Sequence, residues 1–403
     1  MAVGTKWKLL FTALYLAVFA SQVPWLCGQM LHKTELFGTD FTIFWAGWSL
    51  VLEGRARELY DLAAQREVQH AIMHGVEFPG GIVPFLHPPH AALVMAPLAL
   101  LPRTAATWLW TAIQIALLAR FARSLSARAA SRADRWLLVA ALLAYPAVFA
   151  SLQFGQLAVL LTVALVELVA AVEEGRDGAA VVCLVLLSFK PHLLLTPLAV
   201  LGARRRWRLL ARFAAAMGAL AVVTMAVLGP RIYLDYLAAL PRLEQFWGKS
   251  GPHFMVNLRG TLLRLAVPGR VVDVATAAGM IAAALVAYEL ARRQVRRGAL
   301  EADAWPPALA LGLFFNPHLF LHDALLWVVP LALFHASLQR RGRDAAPFAA
   351  FALAWPLAGI VNWIAEDHDV LLPVHLLVVA ATVATVWIVR EARGRAAPMP
   401  AAS

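Results

Sequence analysis

Asp40 is the first residue whose type and place could do chemistry, in Phe37-Gly38-Thr39-Asp40-Phe41, just past the first membrane-length apolar run of the 403-residue chain. A carboxylate there is costly to bury and cheap to solvate, which suits a general base acting at a water–lipid boundary. The same residue also reads as an N-cap for the amphipathic helix pattern Phe41-Thr42-Ile43-Phe44-Trp45-Ala46-Gly47-Trp48, and Asp favours that position. Lys190, in Phe189-Lys190-Pro191-His192, follows an uncharged run and is distant in sequence from the arginine clusters. A lysine so placed can answer a phosphate charge, or it can snorkel from a span end. His318, His322, Asn316 and Arg259 add donors or cations of the same use. His318 and His322 stand four apart with Asp323 adjoining, as zinc-binding histidines do, but Leu319 stands where a catalytic Glu would. The acidic turn Glu366-Asp367-His368-Asp369 reads as solvated. No metal and no cofactor is expected.

The elements that must hold these groups are membrane helices. With 61% hydrophobic and 15% charged residues and repeated apolar runs, the chain reads as an all-α, polytopic integral membrane protein forming one domain over residues 1–403. The net charge of +11 lies mainly in connections, where it reports orientation and contact with membrane lipid, and no aromatic–basic interleaving suggests nucleic acid. Cys27 and Cys183 fall in or beside different apolar runs and make no disulfide framework. No nucleophile elbow, phosphate-binding loop or dinucleotide fingerprint occurs.

Arginine clusters at 120–135, 204–208, 292–297, 340–343 and 390–395, with Lys6 and Lys8, mark cytoplasmic ends. The alternation then gives about twelve spans, at 9–27, 104–121, 136–150, 154–172, 179–190, 191–202, 209–228, 271–291, 305–317, 322–336, 347–364 and 371–390. Outward connections follow at 28–103, the turn at 151–153, the turn near 190, 229–270, 316–322 and 365–370. The first large outer loop, 28–103, is expected to carry amphipathic surface helices, including Glu53 to His74 with Leu59, Leu62 and Val68 on its apolar side. A turn at Phe78-Pro79-Gly80-Gly81 and the Pro88-Pro89 pair follow, then an apolar piece at 90–101, too short to span, that dips in and returns. That places His87 and His90 near Asp40. The second large outer loop is 229–270.

Two Pro-broken turns match each other, Phe189-Lys190-Pro191-His192-Leu193-Leu194-Leu195 and Phe315-Asn316-Pro317-His318-Leu319-Phe320-Leu321. Each frees backbone carbonyls beside a Lys or Asn and a His. They can line a substrate site, or only kink packing helices. A secondary transporter or flippase for lipid-linked sugars is the competing class, because paired broken helices also mark transport sites. The charge pattern puts both turns on one face, whereas inverted transport repeats would oppose them.

The ordered series Asp40-Phe41 with Trp45-Ala46-Gly47, Phe85-Leu86-His87-Pro88-Pro89-His90-Ala91-Ala92-Leu93, Ser151-Leu152-Gln153-Phe154-Gly155-Gln156, Phe189-Lys190-Pro191 and a late Pro317-His318 with His322-Asp323 resembles glycosyltransferase family 87, polyprenol-dependent mannosyltransferase-like proteins of the GT-C superfamily. The resemblance spans about residues 37–336. It implies inverting, metal-independent transfer of a sugar, mannose or another hexose or pentose, from a polyprenyl-phosphate donor to a lipid or glycan acceptor at the outer, periplasmic face of the inner membrane. Asp40 would be the base. Gln153, Gln156, His87 and His90 would join Lys190, Asn316, His318, His322 and Arg259 in substrate binding. The chain departs from the family pattern at His87, where Tyr often precedes Pro-Pro, and at Ala158, where Asn often follows Gly-Gln. Inversion needs one base for the acceptor hydroxyl and a good leaving group, which a lipid phosphate already is.

Overall fold

The computed structural model describes residues 2–32, 38–73, 82–127, 131–247, 255–298, 301–367 and 376–393. The expected turn at 78–81 and the His368-Asp369 end of the acidic turn lie outside them. The described residues form helices and short 3-10 segments without a β-strand, so the all-helical expectation holds. Four helices are long and apolar enough to cross a membrane, Lys6–Gly28, Arg103–Ala127, Trp207–Leu228 and Gly269–Arg296. A fifth crossing is available from Arg132–Leu143 and Pro146–Phe154, bent by 47° at a short break. Pro146 opens the second piece at a position where its missing N–H costs nothing.

The chain divides into two compact units: residues 1–163, 185–190 and 213–251, and residues 164–184, 191–212 and 252–403. In the first unit, α1 (Ala2–His32) packs on α6 (Arg132–Leu143) and α7 (Pro146–Phe154). Helix α2 (Thr39–Leu52) lies against α3 (Leu62–Ile72), α4 (Pro89–Met95) and the 3-10 segment Ala96–Leu100, with α5 (Arg103–Ala127) beside it. The start of α8 (Ala158–Glu173), the end of α9 (Asp177–Leu187) and later residues complete the unit.

Two expectations for this unit are corrected. Helix α2 is not the amphipathic helix that the pattern at 41–48 suggests: Phe41, Ile43, Phe44, Ala46, Trp48 and Leu50 are all buried, and a helix apolar on every side belongs in a core. Residues 151–153 are not a turn but part of the last turn of α7, which ends at Phe154 with Gly155 as its cap.

Where the sequence suggests one surface helix over Glu53 to His74, the described residues form a short 3-10 piece at Ala56–Glu58 and helix α3 at Leu62–Ile72, whose most buried residues include two glutamines. Gln65 and Gln69, one turn apart, face the segment 82–86, which is neither helix nor strand. Gln65 accepts from Phe85 N at 2.7 Å and donates to Leu59 O at 2.7 Å. Gln69 donates to Val83 O at 2.8 Å and accepts from Val83 N at 3.3 Å. Backbone buried outside a helix or strand ladder needs such substitutes, because a buried unpaired peptide group costs about 1–3 kcal/mol. Asp61 caps α3, accepting from Ala63 N and Ala64 N.

In the second unit, α10 (Leu195–Ala203), α14 (Gly269–Arg296), α16 (Val328–Arg340) and α18 (Leu376–Arg393) surround α15 (Trp305–Phe314). Helix α15 is buried from Trp305 through Leu313, and Gly312 admits Thr196 of α10: a Cβ there would lie 2.5 Å from the Thr196 hydroxyl. The remaining described α-helices are α11 (Trp207–Leu228), α12 (Ile232–Trp247), α13 (Leu258–Arg264) and α17 (Ala346–Asp367).

Candidate active site

Asp40 lies in the first turn of α2, but it is not the cap. The cap position belongs to Gly38, at φ 70°, and Asp40 is two residues further in. The helix dipole favours a negative charge there by about 0.3–1 kcal/mol. The carboxylate is half-buried, and its Oδ2 accepts from Gln156 Nε2 at 2.5 Å. Hydrogen bonds to a charged group contribute about 1.5–3 kcal/mol, so the Gln156 contact outweighs the dipole in orienting it.

Gln156 is placed by the turn that ends α7. Gly155 has φ 69° and closes the helix in the left-handed conformation. A Cβ on Gly155 would stand 2.6 Å from Phe41 Cβ, so α2 and this turn meet at a separation only glycine permits. The seam is tied by Gly38 N to Gln153 O at 2.7 Å and by Trp110 Nε1 to Gly155 O at 2.8 Å. Gln156 N returns to Ser151 O at 2.9 Å. Gln153 therefore acts here through its carbonyl, and Gln156 through its side chain. Arg103, passed over in the sequence, donates to Thr42 Oγ1 at 2.8 Å, two residues after Asp40 in α2.

His87 reaches the same helix. Its ring packs edge-on against Phe44 with centroids 4.8 Å apart, and Phe44 shares a face of α2 with Asp40, four residues earlier. The sequence reading placed His87 and His90 near Asp40; the structure brings the His87 ring onto α2 through Phe44, and His90 onto Ser188 and Tyr233. Tyr60 donates to His87 O at 2.8 Å; burial, with the Tyr236 and Tyr233 phenols adding, holds the Tyr60 phenol well above its usual range, so it remains a donor. His87 Nδ1 lies 3.0 Å from Phe189 O, the residue before Lys190. His90 is buried, with Nε2 2.9 Å from Ser188 Oγ and Nδ1 3.4 Å from the Tyr233 hydroxyl. Lys190 is half-buried, its N–H donating to Leu187 O at 3.1 Å. Asp40, Gln156, His87, His90 and Lys190 all belong to the first unit.

Asn316, His318, His322 and Arg259 belong to the second. Asn316 is buried; its carbonyl accepts from Asn257 Nδ2 at 2.7 Å, and its Oδ1 accepts from His318 N at 2.9 Å. Asn257 also caps α13 by accepting from Gly260 N. The segments pair again where Val256 N donates to Leu319 O at 2.8 Å. His322 stacks on Phe320 at 5.7 Å and lies 3.4 Å from an Asp323 oxygen. Arg259 is neither a solvated charge nor uncommitted: its largely buried side chain pairs with Asp273 at 2.8 Å. His192 and His318, at equivalent positions of the two matching turns, come together with ring centroids 6.3 Å apart. The match between those turns was visible in the sequence; the meeting of their histidines was not. Among the described residues, no group of three or more His, Cys, Asp or Glu gathers as a metal site.

The described helices and a half-buried acid at a helix start define a helical membrane protein with a candidate acid–base centre. The model of glycosyltransferase family 87 matches residues 85–315, more than half of the chain, and the chain belongs to that family. It is therefore a glycosyltransferase, which uses a sugar donor and an acceptor. The match includes His87, His90, Gln153, Gln156, Lys190 and Arg259, whereas Asp40, Asn316, His318 and His322 lie outside it. Neither the curated proteins nor the solved structures contain a match to the chain.

Proposed function

We propose that the protein transfers a sugar, with inversion, from a polyprenyl-phosphate donor to a lipid or glycan acceptor at the periplasmic side of the inner membrane, in a GT-C-type fold. The observation that carries this reading is the Asp40 carboxylate, half-buried in the first turn of α2 with one oxygen held by Gln156. In the step proposed, the acceptor oxygen attacks the anomeric carbon while Asp40 takes its proton. The bond from that carbon to the phosphate oxygen breaks, and the lipid phosphate leaves with the electron pair. A positioned base contributes about 10²–10⁴-fold to such a step.

Lys190 is assigned to the charge growing on the leaving phosphate, as a point charge that strengthens its hold as the bond breaks. Asn316, His318 and His322 are proposed for donor contacts on their chemistry alone. Arg259 is left out of the site, since Asp273 engages it. The charge neutralisation asked of a metal in nucleotide-sugar transfer falls here to protein cations, and transfer is expected to persist in chelator.

The test is product formation. Purified protein in liposomes, given radiolabelled polyprenyl-phospho-mannose and a lipid or glycan extract, is expected to produce a glycosylated product of inverted anomeric configuration. Retained configuration, or transfer only from a nucleotide sugar, would overturn the proposal. A series of polyprenyl-phospho-hexoses and pentoses then selects the sugar.

A further inference from the structure

The two histidines of Phe85-Leu86-His87-Pro88-Pro89-His90 do the same thing to consecutive residues of one turn. His87 Nδ1 meets Phe189 O at 3.0 Å, and His90 Nε2 meets Ser188 Oγ at 2.9 Å. The protons can be assigned from the partners. A carbonyl only accepts, so His87 carries its proton on Nδ1. The Ser188 hydroxyl gives its one proton to Val185 O at 2.5 Å, so it accepts from His90, which carries its proton on Nε2. His90 Nδ1 then faces the Tyr233 hydroxyl as an acceptor.

The support behind the histidines is equally specific. Pro88 and Pro89 set the backbone between them and start α4, fixing how far apart the two rings emerge. Gln65 and Gln69 hold the preceding strap at Phe85 and Val83, and Tyr60 holds the carbonyl of His87 itself. The turn that receives them hangs from the end of α9 by short-range amide bonds, Ser188 to Val185, Phe189 to Leu186 and Lys190 to Leu187. Proline at 191 stops the helix that could have held it.

We propose that His87 and His90 are positioning residues that clamp the Ser188-Phe189-Lys190 turn, acting on the sugar donor through Lys190 and not by touching it. The clamp rests on the reading of Lys190 as the donor-phosphate cation. It also replaces the expectation that the two histidines bind substrate directly.

The opposite tautomers supply the test. An asparagine amide replaces the Nδ1 donor of histidine and a glutamine amide the Nε2 donor. His87→Asn and His90→Gln should therefore keep the turn, while His87→Gln and His90→Asn should release it. Ser188→Ala removes the His90 contact from the other side and should behave as His90→Asn.

Two readouts are taken on the full chain in nanodiscs: hydrogen exchange at the Ser188–Lys190 amides, and KM and kcat with polyprenyl-phospho-mannose. The releasing variants should exchange faster and raise the donor KM by about tenfold, the size of one buried hydrogen bond, with a smaller change in kcat. The keeping variants should stay within about threefold of the parent in both. If Asn and Gln are equivalent at each position, or their order is reversed, the clamp is wrong. If exchange rises in the releasing variants while the donor KM stays unchanged, the turn is clamped but Lys190 does not serve the donor, and the positioning role falls with that assignment.

Discussion

Gly38 and Gln153 are joined by a backbone hydrogen bond of 2.7 Å that ties the start of α2 to the end of α7, 115 residues later. That bond sets Asp40 against Gln156, and it can form only because glycines occupy positive φ on both sides, Gly38 at 70° and Gly155 at 69°. Position 155 is the stricter, since Phe41 Cβ would lie 2.6 Å from any added Cβ. Gly155→Ala would incur about 1–2 kcal/mol for its backbone alone, with the overlap on top. Its thermal midpoint should fall, and kcat should fall with it because Asp40 and Gln156 separate. Gly175→Ala, also at positive φ but with open space around its Cβ, should lower the midpoint by the backbone share and leave kcat unchanged. Equal losses of activity in the two variants would remove the seam from the account.

Gln156 neutralises nothing; it orients. Replacing it with Glu puts a second carboxylate beside Asp40, and like charges disfavour the ionised form. A base that must be ionised is then lost at higher pH as the solution is acidified, so the acid limb of the kcat/KM profile should move upward in Gln156→Glu. Gln156→Ala should lower kcat by about tenfold, the value of one hydrogen bond to a charged group, and leave the limb nearer its original place. An unmoved limb in the Glu variant would separate Asp40 from the observed titration.

The part of this arrangement that was legible in the sequence is the part carried by residue type. An acid just past a membrane-length run, a Gly-Gln pair before another run, and a Lys between Phe and Pro name Asp40, Gln156 and Lys190 without a fold, and their order carries the family resemblance. What escaped is non-local. Asp40 reads as a cap because the true cap, Gly38, bonds to a residue far along the chain. Helix α2 reads as amphipathic because nothing nearby shows that Phe85 and Trp110 close its other sides, although Gly47, where a Cβ would stand 2.8 Å from the Phe85 ring, marks the first contact. Glu53 to His74 reads as a surface helix with Leu59, Leu62 and Val68 on its apolar side, and nothing local shows that Gln65 and Gln69 turn inward to hold the strap at 82–86. Short helices such as Asp177–Leu187 leave span number unread by length, because apolar residues describe both a core helix and a crossing.

Orientation is open to a labelling test in a Cys27→Ser background, since Cys27 is exposed and Cys183 is buried. Cysteines at the exposed positions Arg57 and Ala63 should react with an impermeant reagent from the periplasmic side. Cysteines at the exposed positions Arg208 and Arg297, in arginine clusters, should react only after the membrane is opened. The reverse pattern would place Asp40 and its acceptor in the cytoplasm and remove the periplasmic reading.

The most direct measurement is the single-turnover transfer rate of Asp40→Asn, with radiolabelled polyprenyl-phospho-mannose saturating in liposomes. Asparagine keeps the size of the side chain and removes the proton acceptor. The rate should fall by at least about two orders of magnitude, with donor binding and the thermal midpoint close to those of the parent. A rate within about threefold of the parent in folded, inserted Asp40→Asn protein would contradict the assignment of Asp40 as the base, and with it the mechanism proposed for this chain.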